Sequence, residues 1–164
     1  MAFDAYLKLA GVDGEGTRKG YEKQVFLESF SFGAHNPTGK PGSGGGGMSA
    51  GKVELSNFTV TKKTDTSSAK LFQACCKGTH YDTALLTVLK AGGENPVDYL
   101  KYEFKGLFVT DIHWSGATNG DDTPVENVGF AYSAVTVTYT QQKADGSKGA
   151  AIVAGWDVAK AQAI

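Results

Sequence analysis

Apolar and polar positions alternate with a period of two along most of the chain, the mark of half-buried β-strands rather than helices. Phe3, Ala5, Leu7 and Leu9 alternate with Asp4, Tyr6 and Lys8, which predicts a first strand ended by Gly11. Residues 12–19 carry Asp13-Gly14-Glu15-Gly16 and read as a polar loop. A second strand follows at about residues 24–33, with Phe26, Phe30 and Phe32 on one face. Its other face holds Val25 and Leu27 before Ser29 and Ser31, so the start of this strand is expected between layers. Residues 52–64 predict a third strand: Val53 and Leu55 set one parity, Phe58 and Val60 the other, which calls for a bulge near Ser56-Asn57.

One stretch breaks the period. Thr64, Asp65, Thr66 and Ser67 offer helix-capping oxygens, and residues 69–76 supply an apolar face, with Leu71 and Cys75, and Phe72 and Cys76, four apart. Lys77 suits the C-terminal end and Gly78 suits the cap, so a short helix is expected over about 65–77. Strands resume at 81–89, at 97–106 and, after a bend at Gly106, at 107–114. Residues 91–96 form a turn, and 115–125 a loop with Asn119-Gly120 as its turn signal. Residues 127–142 read as the longest strand, Val135, Val137 and Tyr139 opposing Thr136, Thr138 and Thr140. Asp145-Gly146 turns the chain into a last strand at 150–158 that carries Trp156. The sum is a mainly β protein of roughly seven to nine strands, a two-sheet sandwich or barrel with one short flanking helix, since layering or closure hides strand edges.

Length and composition fit that picture. The 164 residues make a single domain spanning 1–164, long enough for a core that needs no metal or disulfide. The 16 basic and 17 acidic residues nearly cancel, which excludes a nucleic-acid binder driven by net charge. Lys62-Lys63, Lys101 and Lys105 are basic, but Tyr99, Tyr102 and Phe104 beside them follow strand spacing rather than a base-stacking platform. No apolar run reaches the roughly 18 residues of a membrane span. The N-terminus has neither a basic start nor an apolar stretch, so cytoplasmic synthesis is expected, and any export by a route other than a signal peptide. Cys75 and Cys76 are adjacent and read as reduced residues on the helix.

Glycine is the outlier, 22 residues, much of it packed between Gly39 and Gly47. Residues 34–51 are therefore read as a long flexible loop, and loops of that length inside compact domains are commonly functional. Gly42, Gly47 and Ser49 match part of a phosphate loop, but Met48 stands where the lysine is required. Gly42, Gly44 and Gly47 also fit a dinucleotide fingerprint, yet no strand directly precedes them and no helix follows. Of the three histidines, His113 shares a strand face with Asp111, His80 follows the helix and His35 lies in the loop; none has ligand-like spacing. Asp121-Asp122 keeps a turn soluble, and Asn57-Phe58-Thr59 has no meaning as a glycosylation signal without a secretory leader. No catalytic, cofactor or metal set emerges. The threonine ladder at 136, 138 and 140 is the more informative feature: it suits a sheet face that stays wet, on a surface or along a pore, and Ser29 and Ser31 extend it.

Several segments are familiar together. The opening Met1-Ala2-Phe3-Asp4-Ala5-Tyr6-Leu7-Lys8-Leu9 with Gly14-Glu15, the run Leu27-Glu28-Ser29-Phe30-Ser31-Phe32-Gly33, and Lys70-Leu71-Phe72-Gln73-Ala74-Cys75-Cys76-Lys77-Gly78-Thr79-His80 stand in one order. Tyr102-Glu103-Phe104, Val109, Glu126, Phe130, the Ala144-Asp145-Gly146-Ser147 turn and Trp156 follow. Over nearly the whole chain this resembles the Hcp family, the haemolysin-coregulated proteins of type VI secretion systems. The resemblance implies a two-sheet β-barrel with a flanking helix, six copies of which form a ring. Rings stack into the inner tube of a contractile injection machine; the tube is exported, carries or chaperones small effector proteins, and meets sheath and spike proteins. It implies no chemistry, no cofactor, no nucleic acid and no membrane.

On that resemblance Ser29, Ser31, Thr136, Thr138 and Thr140 are expected to face the channel. His35, Asn36, Pro37, Lys40, Gly44, Gly45 and Met48 are expected in a loop that meets a neighbouring subunit or ring. Two other readings stay open: a phage-like tail tube protein, and a monomeric ligand-binding β-barrel or small enzyme, which would need an apolar pocket with converging polar groups.

Overall fold

A computed structural model describes residues 2–39, 50–90 and 93–164. The chain runs through β1 (Phe3–Leu9), β2 (Val25–Leu27), β3 (Ser29–Ser31), β4 (Ala34–His35), β5 (Glu54–Leu55), β6 (Phe58–Lys63) and α1 (Ser68–Lys77). It continues through β7 (His80–Lys90), β8 (Asp98–Ser115), β9 (Val125–Ala131), β10 (Ala134–Gln142), β11 (Lys148–Asp157) and β12 (Gln162–Ala163). All ladders are antiparallel. Ten strands form one branched sheet and β4–β5 a separate two-stranded ribbon. One path runs β12-β11-β10-β8-β7-β1-β2; at β8 a second arm, β9-β6-β3, branches off. The fold is mainly β with a single short helix among the described residues, and their ladder path does not close into a barrel.

The branch exists because β8 is 18 residues long and β9 and β10 divide its length between them. β10 pairs with residues 100–105 of β8, and β9 pairs with residues 108–115. Gly106 marks the junction at φ +60°, a conformation costly for a side chain, and a Cβ there would stand 2.4 Å from Ser133 Oγ. The bend expected at Gly106 is therefore present, and it flips parity, so that Phe104 and Leu107 are both fully buried. The strand expected over 127–142 is interrupted at Tyr132–Ser133, where Ser133 leaves the ladder and donates its N–H to Lys105 O at 2.8 Å.

The second expected strand is divided for a related reason. β2 pairs with β1, but β3 pairs with β6, and Glu28 between them donates its N–H to Thr61 O at 2.8 Å. One extended segment thus passes from one arm of the sheet to the other. The third expected strand breaks at Ser56–Asn57, where its parity changes: β5 joins the small ribbon and β6 the main sheet.

The β3–β6–β9 arm folds over the rest. Phe58 of β6 stacks on Phe104 of β8 with centroids 4.2 Å apart, and Phe130 of β9 lies 5.7 Å from Phe58. Leu7, Val25, Leu27, Leu86, Val60 and Val128 complete the core. Each such side chain, fully buried, contributes on the order of 1.5–3 kcal/mol. The helix closes one end. Leu71 and Ala74 enter the core, whereas Phe72 stays half-exposed beside Trp114, ring centroids 5.7 Å apart. It starts at Ser68, later than expected, because Asp65 uses its carboxylate to hold the N–H and O–H of Ser67 at 2.8 and 2.5 Å in a turn. Ser67, at the N-cap, makes no side-chain cap bond; Gly78 at φ 64° ends the helix as expected. β12 was not apparent from the pattern, being two residues long.

Candidate functional site

Little in the described residues is built like an active site. His113 Nε2 lies 3.9 Å from Asp111 Oδ2 with both side chains well exposed, the His80 ring packs 5.4 Å from Phe108, and His35 sits exposed in β4. Cys75 is half-buried, Cys76 exposed, and both are free thiols. Among the described residues no group of three His, Cys, Asp or Glu is placed to hold a metal ion. The clefts are open; that of about 390 Å³ between Glu15, Phe26, Glu28, Lys63 and Thr64 has a charged lining.

The informative surfaces are sheet faces and edges. Ser29 and Ser31 are exposed on either side of Phe30, whose ring points to the core side and lies 5.7 Å from Tyr102 and 6.0 Å from Phe3. In register, Ser29 faces Thr61 and Ser31 faces Thr59, and Thr61 Oγ1 donates to Asn127 Oδ1 at 2.7 Å. This makes a continuous small, uncharged polar face on the side away from the core. Thr136, Thr138 and Thr140 also lie on the side away from the core, because Val135, next to Thr136, is buried. Their neighbours across the ladder are charged, Glu103 beside Thr136 and Lys101 beside Thr138. Within one chain the serine pair and the threonine ladder occupy different arms of the sheet.

His35, Asn36 and Pro37 are exposed at the foot of the 34–51 excursion. That foot is an ordered ribbon rather than a loop: Ala34 and His35 pair with Leu55 and Glu54, Gly51 N–H donates to Pro37 O at 2.9 Å, and Thr38 bridges Ala50. Lys40, Gly44, Gly45 and Met48 lie outside the described residues.

A second surface was missed in the sequence. β11 pairs with β10 along its length on one side, but on the other side β12 reaches only Trp156 and Asp157, and Ile164 N–H donates to Gly155 O at 3.2 Å. The remaining outer edge has no ladder partner among the described residues. Ile152 is 70% exposed, Val153 59% and Tyr139 of β10, opposite Ile152, 45%. The signal was there: residues 149–156, Gly-Ala-Ala-Ile-Val-Ala-Gly-Trp, contain no charge and no apolar–polar alternation. Lys148, at the head of β11, reaches across β10 to β8 in an ion pair with Asp98, which also binds Lys101 at 2.6 Å.

Comparison with known proteins places these surfaces in context. Residues 6–139 match the family model described as type VI secretion system effector, Hcp. Protein hcp1 of Pseudomonas aeruginosa is 38% identical over 159 residues, covering 96% of each chain. A solved structure of a type six secretion system protein superposes with a TM-score of 0.93 at 35% identity, over 99% of this chain and 100% of the other. Hcp1 from Salmonella typhimurium superposes with a TM-score of 0.82 at 32% identity, over the whole of both chains.

Proposed function

Since the chain belongs to the Hcp family of type VI secretion proteins, a family of tube proteins, we propose that six copies close into a ring, that the rings stack, and that the assembled tube is exported with small effector proteins inside it. The likeness over the full length of the fold carries this reading. Two features of the chain support it. The polar faces at Ser29 and Ser31, and at Thr136, Thr138 and Thr140 beside Glu103 and Lys101, suit the hydrophilic wall of a water-filled channel. The exposed ribbon at His35, Asn36 and Pro37, leading into Lys40, Gly44, Gly45 and Met48, is the part that reaches a neighbouring subunit or ring.

On this reading the protein does no chemistry. It acts as a carrier and conduit, made in the cytoplasm and leaving through the secretion machine, whose sheath and spike proteins it meets. Ring closure requires a head-to-tail contact, in which one patch of a subunit meets a different patch of the next. Light scattering on a sizing column, with negative-stain imaging of the main peak, tests the assembly. The expected species is a ring of six times the 17.2 kDa chain. A monomer that persists at high concentration would overturn the proposal and leave a ligand-binding β domain as the better account.

A further inference from the structure

We propose that Asp111 selects the cargo of the channel. It gives the hydroxyl-lined face of the β3–β6–β9 arm an open negative charge, and the cargo segments that this face holds are cationic, rich in lysine or arginine. The inference rests on the ring and channel reading and specifies the class of cargo that the wall accepts. On the side away from the core, the register aligns two rows of side chains across β3, β6, β9 and β8. One row is Ser29, Thr61, Asn127 and His113; the other is Ser31, Thr59, Gly129 and Asp111. Serine, threonine and asparagine offer hydrogen bonds without charge. Asp111 is the one carboxylate in these rows.

Local structure holds that carboxylate in place. The register of β8 against β9 shifts between Val109 and Asp111, and at this irregularity Thr110 Oγ1 donates to Asp111 Oδ1 at 2.8 Å. Gly129, opposite on β9, leaves the room: a Cβ there would stand 2.9 Å from Asp111 Cγ and 3.0 Å from Thr110 Oγ1. The carboxylate therefore lies over Gly129, beside the hydroxyl rows, and about half of the side chain stays open. Its one ion-pair partner within 4 Å among the described residues is the His113 imidazole, Nε2 3.9 Å away; no lysine or arginine joins it. Lys63, at the end of β6, is already paired with Asp121 at 3.0 Å. The threonine face differs. There Lys101 and Lys105 each stand beside a carboxylate, Asp98 at 2.6 Å and Glu103 at 3.7 Å. Six copies of Asp111 around a channel repeat the unbalanced charge, and a channel wall of low dielectric focuses its field. A carboxylate flanked by hydroxyls holds an ammonium or guanidinium through charge-assisted hydrogen bonds. At a half-exposed site each such contact is weak, so the cargo is retained and still released.

The test uses the ring peak from the sizing column and two fluorescent probes, an oligolysine and an oligoglutamate peptide of equal length, with binding read by anisotropy. The native ring is expected to bind oligolysine and not oligoglutamate, with an affinity that falls as salt is added. Asp111→Asn keeps the acceptor of the Thr110 hydrogen bond and removes the charge. Ring mass and melting temperature should hold, while oligolysine affinity falls by about three- to fivefold and its salt dependence flattens. Asp122→Asn, in the loop after β8 and outside the two rows, is expected to leave the affinity unchanged. A ring whose oligolysine affinity ignores Asp111→Asn, or falls as far with Asp122→Asn, overturns selection by Asp111 and leaves the ring reading standing. Oligolysine coupled directly to beads, unable to enter a channel, is expected not to capture the ring. Capture that depends on Asp111 would put the rows on the outer wall and overturn the proposal in the same way. A native protein that is monomeric removes both the proposal and the ring.

Discussion

Lys62 Nζ stands 2.6 Å from Glu126 Oε1, and both side chains are fully buried. The ammonium also donates to Asp65 Oδ1 at 2.7 Å, Lys63 O at 3.0 Å and Ser68 Oγ at 3.2 Å. Glu126 in turn accepts from Ser68 Oγ at 3.0 Å and Thr64 Oγ1 at 3.4 Å. One cation with two carboxylates thus joins β6, β9 and the start of α1, and no buried polar side-chain atom among the described residues is left without a partner.

Removing Lys62 strands the Glu126 carboxylate in a dry site, which costs about 3–5 kcal/mol, whereas removing Glu126 leaves Lys62 paired with Asp65. Lys62→Met is expected to lower stability by that order and Glu126→Leu by less, each read as a shift in denaturant midpoint. The two together should cost less than the sum, since the double variant no longer strands Glu126 and leaves only Asp65, at the edge of the site, without its cation. Additive losses in the double-mutant cycle would show that the residues do not act as a pair.

Phe58 is the centre of the aromatic core, stacked on Phe104 at 4.2 Å and on Phe130 at 5.7 Å, with Phe32 edge-on at 6.5 Å. Phe58→Ala opens a cavity between the two arms of the sheet and is expected to cost about 3–5 kcal/mol. Phe72→Ala on the helix, where the ring is half-exposed, is expected to cost far less. Thermal unfolding of the two variants side by side checks the ranking.

These residues show how far the sequence could be read. The parity of β1, the helix end at Gly78 and the bend at Gly106 follow from local rules, and local rules are visible in one chain. Lys62 was legible too: it shares parity with Phe58 and Val60, but the pair Lys62-Lys63 reads as a basic surface unless parity is given precedence over charge. The breaks at Glu28 and Tyr132–Ser133 were harder, because a strand that changes partners keeps its extended backbone. The shift from Val25 and Leu27 to Phe30 was the trace of the first, and that from Val128 and Phe130 to Val135 and Val137 the trace of the second. The open edge of β11 depends on which strand is missing beside it, and that is a property of the whole sheet. The lack of charge between Lys148 and Asp157 marked the strand without saying which side was open.

Gly106 supports a narrower prediction. Its positive φ and the 2.4 Å approach to Ser133 Oγ predict that Gly106→Ala destabilises the fold by more than the conformational term of about 1–2 kcal/mol alone. Ser133→Gly in the same chain removes the clash and should restore part of the loss, although Ser133 Oγ also donates to Lys105 O at 2.9 Å. Equal stability of Gly106→Ala and the native protein would mean that the junction of the two arms relaxes freely.

The Asp98 carboxylate gives a pH prediction. Partial burial pushes its pKa up, but hydrogen bonds and charge from Lys101 and Lys148 outweigh burial and hold it below the ordinary carboxylate value. A carboxylate with a depressed folded-state pKa binds fewer protons when folded, so its stabilisation is present above the unfolded pKa of about 4 and is lost as pH falls through the folded value. Asp98→Asn should therefore lower stability near neutrality and flatten the decline as pH falls below about 4. Because Lys148 opens β11, the same substitution should loosen the β10–β11 hairpin, seen as faster amide exchange in residues 148–155 with the exchange of β7 unchanged. An acid limb identical to that of the native protein would assign the pH dependence to other carboxylates.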